Sequence, residues 1–368
     1  MKVLHVISSG GMYGAEAVIL NMSRMLAEQG HRSIVGAFSN SSNPNLQLHE
    51  AAAREGLESH LIACSGQVDR STIAAIRGLA AETGADVVHA HGYKADIYSY
   101  LALRGRGVPL VSTCHTWYDN DLMVTLYGRL DRMVLRGFER VVAVSDEVRQ
   151  RLLKAGVRAD RIRTVRNGID LRPFDRAAPS LRGDDPRLVA GLVGRLSWEK
   201  GVEIFLAAAA RVLAEFPGVR FVVVGEGPDR EKLELLLDEL KIRGSAELLG
   251  RRDDMPAVYA SLDLMVSSSR QEGLPMAILE GMASSLPLVA SAVGEVPGVV
   301  EDGATGLLVP AEDAERLAEA ILDLLRDGEK RRRFGAAGRR RIEQEYSAAR
   351  MTADYLRIYG EAIAAVRR

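Results

Sequence analysis

Short apolar runs alternate with longer segments of helical periodicity along almost the whole chain. That rhythm leaves few folds open. A strand joined through a helix to a parallel neighbour needs helices on the faces of its sheet, which makes the chain α/β with parallel sheets. In the first half the pattern predicts strands near Val3–Ser8, Ser33–Phe38, Ser59–Ile62, Val87–His89, Leu110–Thr113, Arg140–Val144 and Arg163–Val165. Helices fall between them, among them 15–29 and 122–137. At 171–187 the rhythm stops in a stretch rich in Pro, Arg and Asp with no periodicity, which reads as a linker. It restarts with strands near Leu188–Gly194, Arg220–Val224, Glu247–Leu249, Asp263–Ser267, Leu288–Ala290 and Gly306–Val309. From Ala314 the chain reads as helical almost to its end, broken near Tyr346 and Ser347. In the last helix Tyr355, Ile358, Tyr359 and Ile363 fall near one stripe.

Composition narrows the function classes. With 368 residues, 47% of them hydrophobic, the chain can bury two cores of ordinary size. The net charge of −1 gives no global field for nucleic acid. Two cysteines far apart, Cys64 and Cys114, make neither a disulfide framework nor a metal site, so a reducing, cytoplasmic setting is expected. The opening MKVLHVISSGG has one Lys and a short apolar run, and reads as a first strand rather than a leader. No window reaches about 18 uninterrupted apolar residues, so no membrane-spanning helix is expected.

The residues that carry chemistry cluster at the ends of expected strands. Glu272 and Glu280 flank a strand-to-helix turn, with Gly273, Leu274 and Pro275 between them. In an open parallel sheet that turn lies where ligands bind. Pro275 suits the first helical position, and the free N–H groups after it form an anion site. Two carboxylates so placed can hold hydroxyls on either side of a diphosphate. Glu272 would take a sugar hydroxyl and Glu280 the vicinal hydroxyls of a ribose. The plainer readings are an acid favoured at a helix start and a glutamate on a helix surface. Arg195 and Lys200 follow the strand ending at Gly194, at the same sheet edge. A guanidinium fork and a mobile ammonium suit an electron-rich diphosphate, although two surface cations would look the same in isolation. Gly10 and Gly11 follow the first strand with a spacing that departs from G-x-G-x-x-G, so a nicotinamide cofactor is poorly supported.

Four segments together resemble the retaining glycosyltransferases of the GT-B fold, in the large family 4 group. They are the Glu272–Glu280 pair, Gly194-Arg195-Leu196 with Glu199-Lys200-Gly201, Asn167-Gly168-Ile169-Asp170, and Gly10-Gly11 with Gly14-Ala15-Glu16. The resemblance covers nearly the whole chain. It implies two Rossmann-like domains with parallel sheets facing across a cleft, and a C-terminal helix that crosses back to the first. The domains would be 1–172 on the acceptor side, a linker 173–187, 188–346 for the nucleotide-sugar, and 347–368 packed on the first domain. It implies a hexose-type transfer from a UDP- or GDP-linked donor to a glycan, lipid-linked or small-molecule hydroxyl, with the anomeric configuration retained and no metal or other cofactor. Such work belongs to cell-envelope glycan or glycolipid synthesis. Arg195, Lys200, Glu272 and His115 would be catalytic. Gly10, Gly11, Gly194, Gly273, Leu274, Pro275, Glu280 and His91 would touch the donor. Domain closure about residues 166–187 would exclude water. A sugar-nucleotide epimerase of the same fold and a non-catalytic sugar-nucleotide binder are the alternatives.

Ser284-Ser285-Leu286-Pro287 departs from the family, which usually has Gly before that Pro, and Gly298 stands where an acid often sits. His89, His91 and His115 end strands of the first half. Zinc is not expected there, since no Cys or carboxylate stands at ligand spacing and His89 and His91 are set on opposite faces of their strand. The helix at 122–137 carries Leu122, Met123, Leu126, Leu130 and Leu135 beside Arg129, Arg132 and Arg136. That face suits an anionic membrane, or core packing with a wet basic side.

Overall fold

The computed structural model describes the chain apart from residues 9–10, 13, 41–45, 66–68, 115–121, 273–275 and 368, and apart from the side chains of 122–127. It divides into two units. The first holds Met1–Gly168 together with Ala348–Arg368, and the second holds Ile169–Ser347.

The first unit contains β1 (Lys2–Ile7), β2 (Arg32–Ser39), β3 (Glu58–Ala63), β4 (Val87–His91), β5 (Leu110–Cys114), β6 (Arg140–Ala143) and β7 (Ile162–Thr164). They form one parallel sheet in the order β3-β2-β1-β4-β5-β6-β7. The second contains β8 (Leu188–Val193), β9 (Val219–Val224), β10 (Ala246–Gly250), β11 (Leu264–Ser267), β12 (Leu288–Ser291) and β13 (Gly306–Val309). Their order is β10-β9-β8-β11-β12-β13, again all parallel. These are the two Rossmann-like sheets that the alternation predicts. β4 and β5 are buried at every position, as are β11 and β12. Strands covered on both faces have no polar side to show, which is why they read as unbroken apolar runs.

In each sheet the strand order reverses once, between β1 and β4 and between β8 and β11. At such a reversal the flanking helices leave to opposite faces, and a crevice opens beyond the carboxyl ends of the two strands. Two apolar layers cover the second sheet, one centred on Phe205, Phe221 and Leu237 and the other on Met265, Ile278 and Leu288.

The final helix, Ala348–Val366, belongs to the first unit. It buries Met351, Tyr355, Ile358, Tyr359 and Ala362, while the expected stripe member Ile363 is half-buried. Its docking is also polar. Tyr359 bonds His89 at 2.7 Å and Tyr355 bonds Thr113 at 2.9 Å. Glu361 pairs with Arg140 at 2.8 Å and Arg163 at 2.6 Å. The helical tail has a break that the pattern does not show, at Asp327, whose side chain caps the next helix through Lys330 N–H at 2.8 Å.

The stretch 171–187 lies within the second unit, and it is fastened there. The Ser180 and Leu181 amides donate to Ser261 Oγ at 2.8 and 3.0 Å. Arg182 pairs with Asp263 at 2.6 Å, and Phe174 packs against Tyr259.

Candidate active site

The reversal between β8 and β11 gathers most of the described residues that the sequence singles out. β8 ends at Val193, and Gly194–Gly201 turns back into the helix Val202–Glu215. β11 ends at Ser267, and the chain runs through Ser268–Glu272 toward the helix Met276–Ala283. Several bonds fix the two loops to each other. Arg270 N–H donates to Glu199 O at 2.8 Å, and its guanidinium reaches Trp198 O at 2.7 Å. Ser268 Oγ donates to Gly201 O at 2.8 Å. Arg270 is held in turn by Glu203 and Glu312 at 2.8 and 2.7 Å.

Two glycines allow the loops to lie this close. Gly201 has φ +58°, and a Cβ there would overlap the Ser268 carbonyl oxygen. Gly294 has φ +52°, and a Cβ there would overlap the carbonyl oxygen of Glu272. Neither place admits a side chain without moving the backbone.

Lys200 and Glu272 meet in this frame. Lys200 Nζ pairs with Glu272 Oε1, which also accepts from Ser269 Oγ at 2.6 Å. The Glu272 side chain is buried, so its charge needs these partners. A small recess beside them is lined by Leu192, Lys200, Ser267, Ser269, Glu272 and Ile278. Arg195 is exposed, and its guanidinium makes no hydrogen bond or ion pair among the described residues. A Cβ at Gly194 would meet the stem of Lys200 at van der Waals distance. One cation of the pair is therefore already neutralised and the other is available.

Glu280 sits in the helix Met276–Ala283, half-buried. Burial pushes its carboxyl above the ordinary range, and a hydrogen bond at 2.8 Å from the Tyr259 hydroxyl offsets part of that. Tyr259, Ser269 and Arg270 are the polar supports that motif reading misses. Ser269 and Arg270 lie inside the same run as Glu272 but match no spacing rule. Tyr259 lies on the separate helix Met255–Ala260.

Ser285, one of the family departures, takes φ +58° just past the helix that holds Glu280. That left-handed position favours glycine, so a glycine would sit there with less strain than this serine.

In the first unit, Gly11 is buried after β1 and His91 ends β4 at the other reversal. Gly10, His115, Gly273, Leu274 and Pro275 lie outside the described residues. The placement of His89 and His91 on opposite faces is corrected here. Side chains alternate along a strand, so residues two apart share a face. Their rings lie 4.0 Å apart between centroids. His5 joins them from β1, its Nδ1 3.2 Å from His91 Nε2. Ring nitrogens of these three histidines fall within 4.8 Å of one another, close enough to hold a metal ion. Their present bonding does not suit one. Both nitrogens of His89 are engaged, by Tyr359 and by Thr113 at 2.7 Å each. The His89 and His91 rings also overlie each other at 39° rather than converge. Burial lowers the His5 pKa to about 3, so His5 is neutral, and the three rings form a hydrogen-bonded, packed group.

Comparison with known proteins matches both units. Residues 173–341 match the family model described as glycosyl transferases group 1, and residues 12–172 match glycosyltransferase family 4. The α-maltose-1-phosphate synthase of Mycolicibacterium smegmatis is 32% identical over 308 residues, spanning 75% of this chain and 79% of that one. The phosphatidyl-myo-inositol mannosyltransferase of the same organism is 28% identical, spanning 94% and 89%. The crystal structure of Anabaena HepE in complex with UDP superposes with a TM-score of 0.84 at 23% identity, over 97% of this chain and 99% of that one. That last likeness establishes the GT-B fold. Matched along both units, and 32% identical to a synthase of which it covers 79%, the chain belongs to the family 4 (group 1) glycosyltransferases and is itself a glycosyltransferase.

Proposed function

We propose that the enzyme transfers a hexose-type sugar from a nucleoside diphosphate to an acceptor hydroxyl with retention of anomeric configuration. The observation that carries this is the charge arrangement at the β8–β11 reversal. A free Arg195, a Lys200–Glu272 pair and a half-buried Glu280 lie along a single sheet edge. An anionic diphosphate has a guanidinium and an ammonium to meet. The sugar beyond it finds the Glu272 carboxylate, and the ribose finds Glu280. The UDP bound by the structurally similar HepE supports a nucleotide-sugar donor of this kind.

In this reading the bond from the anomeric carbon to the β-phosphate oxygen breaks, and the phosphate leaves with the electron pair. The acceptor oxygen bonds the same carbon from the same face, and its proton passes to the departing phosphate oxygen. Charge grows on that phosphate as the bond breaks. Fixed cations there favour the transition state over the ground state, by roughly 3 kcal/mol per well-placed donor. Lys200 would exchange part of its bond to Glu272 for the phosphate, which frees the carboxylate to accept from a sugar hydroxyl.

The relatives' names include a phosphatidyl-inositol acceptor and a sugar phosphate product. A lipid-linked or small-molecule hydroxyl acceptor, within cytoplasmic glycan or glycolipid synthesis, is consistent with both. None of the described helices is long and apolar enough to cross a membrane. On the helix Leu122–Leu135, Met133 is 60% and Leu130 40% exposed beside the exposed Arg129, a face that would suit peripheral contact with anionic lipid.

The test is a thermal-shift screen of nucleoside diphosphates and their sugars, followed by NMR of the first-formed product. An α-linked donor should give an α-linked product. A β-linked product would overturn the retaining mechanism.

A further inference from the structure

We propose that Tyr259 is the positioning residue for nucleotide recognition, aiming the Glu280 carboxylate so that one of its oxygens is left for the ribose hydroxyls. The inference rests on the donor reading of Glu280 given above.

Tyr259 is fully buried on the helix Met255–Ala260, and Phe174 packs against its ring with centroids 6.1 Å apart. A buried ring packed from the side has little freedom to turn, so its hydroxyl is a fixed donor. That hydroxyl donates to Glu280 Oε2 at 2.8 Å. Burial and the adjacent carboxylate hold the phenol far above its ordinary pKa, so it keeps its proton and donates throughout the working pH range.

A glutamate in a helix has a broad final torsion, and its two oxygens exchange easily. Fastening Oε2 removes that freedom. Oε1 has no hydrogen-bond partner among the described residues, and a carboxylate oxygen can accept from two donors. Adjacent 2′- and 3′-hydroxyls are such a pair of donors. Without Tyr259 the carboxylate would turn, and binding would have to order it again.

The experiment uses the full-length enzyme and isothermal calorimetry with UDP, GDP and their 2′,3′-dideoxy analogues. The wild type should bind one ribonucleotide at least about 10-fold more tightly than its dideoxy form, as expected when hydrogen bonds to a charged group are lost. In Tyr259→Phe the ribonucleotide should weaken by about 3- to 10-fold, while the dideoxy form changes by less than about 2-fold. In Glu280→Gln the discrimination should collapse, and adding Tyr259→Phe should take it no further, since the two residues act through one contact. General damage to the fold would weaken both nucleotides alike.

An equal loss for both forms in Tyr259→Phe overturns the inference. So does unchanged discrimination, or an additive loss in the double variant. A wild type that binds ribonucleotide and dideoxynucleotide equally overturns the Glu280 assignment and the inference with it. A wild type that binds neither UDP nor GDP overturns the proposed donor instead.

Discussion

Lys200 and Glu272 neutralise each other across two closely packed loops, and this makes their variants unequal. Glu272→Gln releases the ammonium from its counter-ion. Binding of a free nucleoside diphosphate should be kept or improved, while turnover of the sugar nucleotide falls by about 10²-fold or more. Lys200→Ala should cost both, because it removes a phosphate partner and leaves a buried carboxylate without its cation. Calorimetry beside initial rates separates them, and equal losses of diphosphate affinity would refute the division of labour. A second buried acid lies away from this chemistry. Burial, and next the charge of Asp131, hold the Asp96 carboxyl well above the ordinary carboxylate range. The folded state therefore keeps a proton that the unfolded chain releases at about pH 4. Stability must then fall as pH rises from there toward the folded pKa. Asp96→Asn, which has no proton to lose, should gain on the wild type in melting temperature from pH 5 to pH 8, by roughly 2 °C or more. Parallel pH curves for the two proteins would show that Asp96 carries no such linkage.

Among the elements, the loop after β11 depends on a neighbour far along the chain. Gly294 lies under the Glu272 carbonyl at a positive φ, so Gly294→Ala must displace that loop or strain itself. We expect a loss of about 1–3 kcal/mol in stability and at least a 10-fold fall in kcat/KM. Thermal melts and steady-state kinetics check this, and near-normal turnover would mean that Glu272 is not set by this packing. The same region shows what the sequence can and cannot disclose. The thirteen strands of the described residues are readable within a residue or two, and most plainly the central ones such as β4, β5, β11 and β12, because a strand buried on both faces must be an apolar run. Arg195, Lys200, Glu272 and Glu280 are readable because strand ends at one sheet edge are set by topology. Tyr259, Ser269 and Arg270 are not, since their roles come from which loops touch, and touching has no spacing in sequence. The His89–His91 placement fails for a different reason: strand alternation puts the two on one face, and His5 reaches them only through the β1–β4 pairing. Asp327 is missed because its capping bond joins two helices that read as one run.

For the whole molecule, the proposed donor site draws its positive charge from the side chains of Arg195 and Lys200. Activity should therefore survive exhaustive EDTA treatment, measured as rates before and after chelation with and without added Mg²⁺ or Mn²⁺. Loss restored by either ion would require a metal that the proposal omits. The chain passes between the units twice, once at Gly168–Ile169 and again at Ser347–Ala348. The two passages leave the second unit side by side, where Ile169 N–H bonds Tyr346 O at 2.9 Å and Ile169 bridges Ser347. The second unit is thus continuous in sequence, while the first is assembled from both ends of this chain. Synthesis runs from the N-terminus, so the first sheet emerges early but must wait for Tyr355, Tyr359 and Glu361 before its surface is covered. The second unit can finish folding during that wait. A chain cut just after Ser347 would carry a complete Ile169–Ser347 unit beside a first sheet still without Tyr355, Tyr359 and Glu361, so the last helix is what completes the first unit after the second is whole.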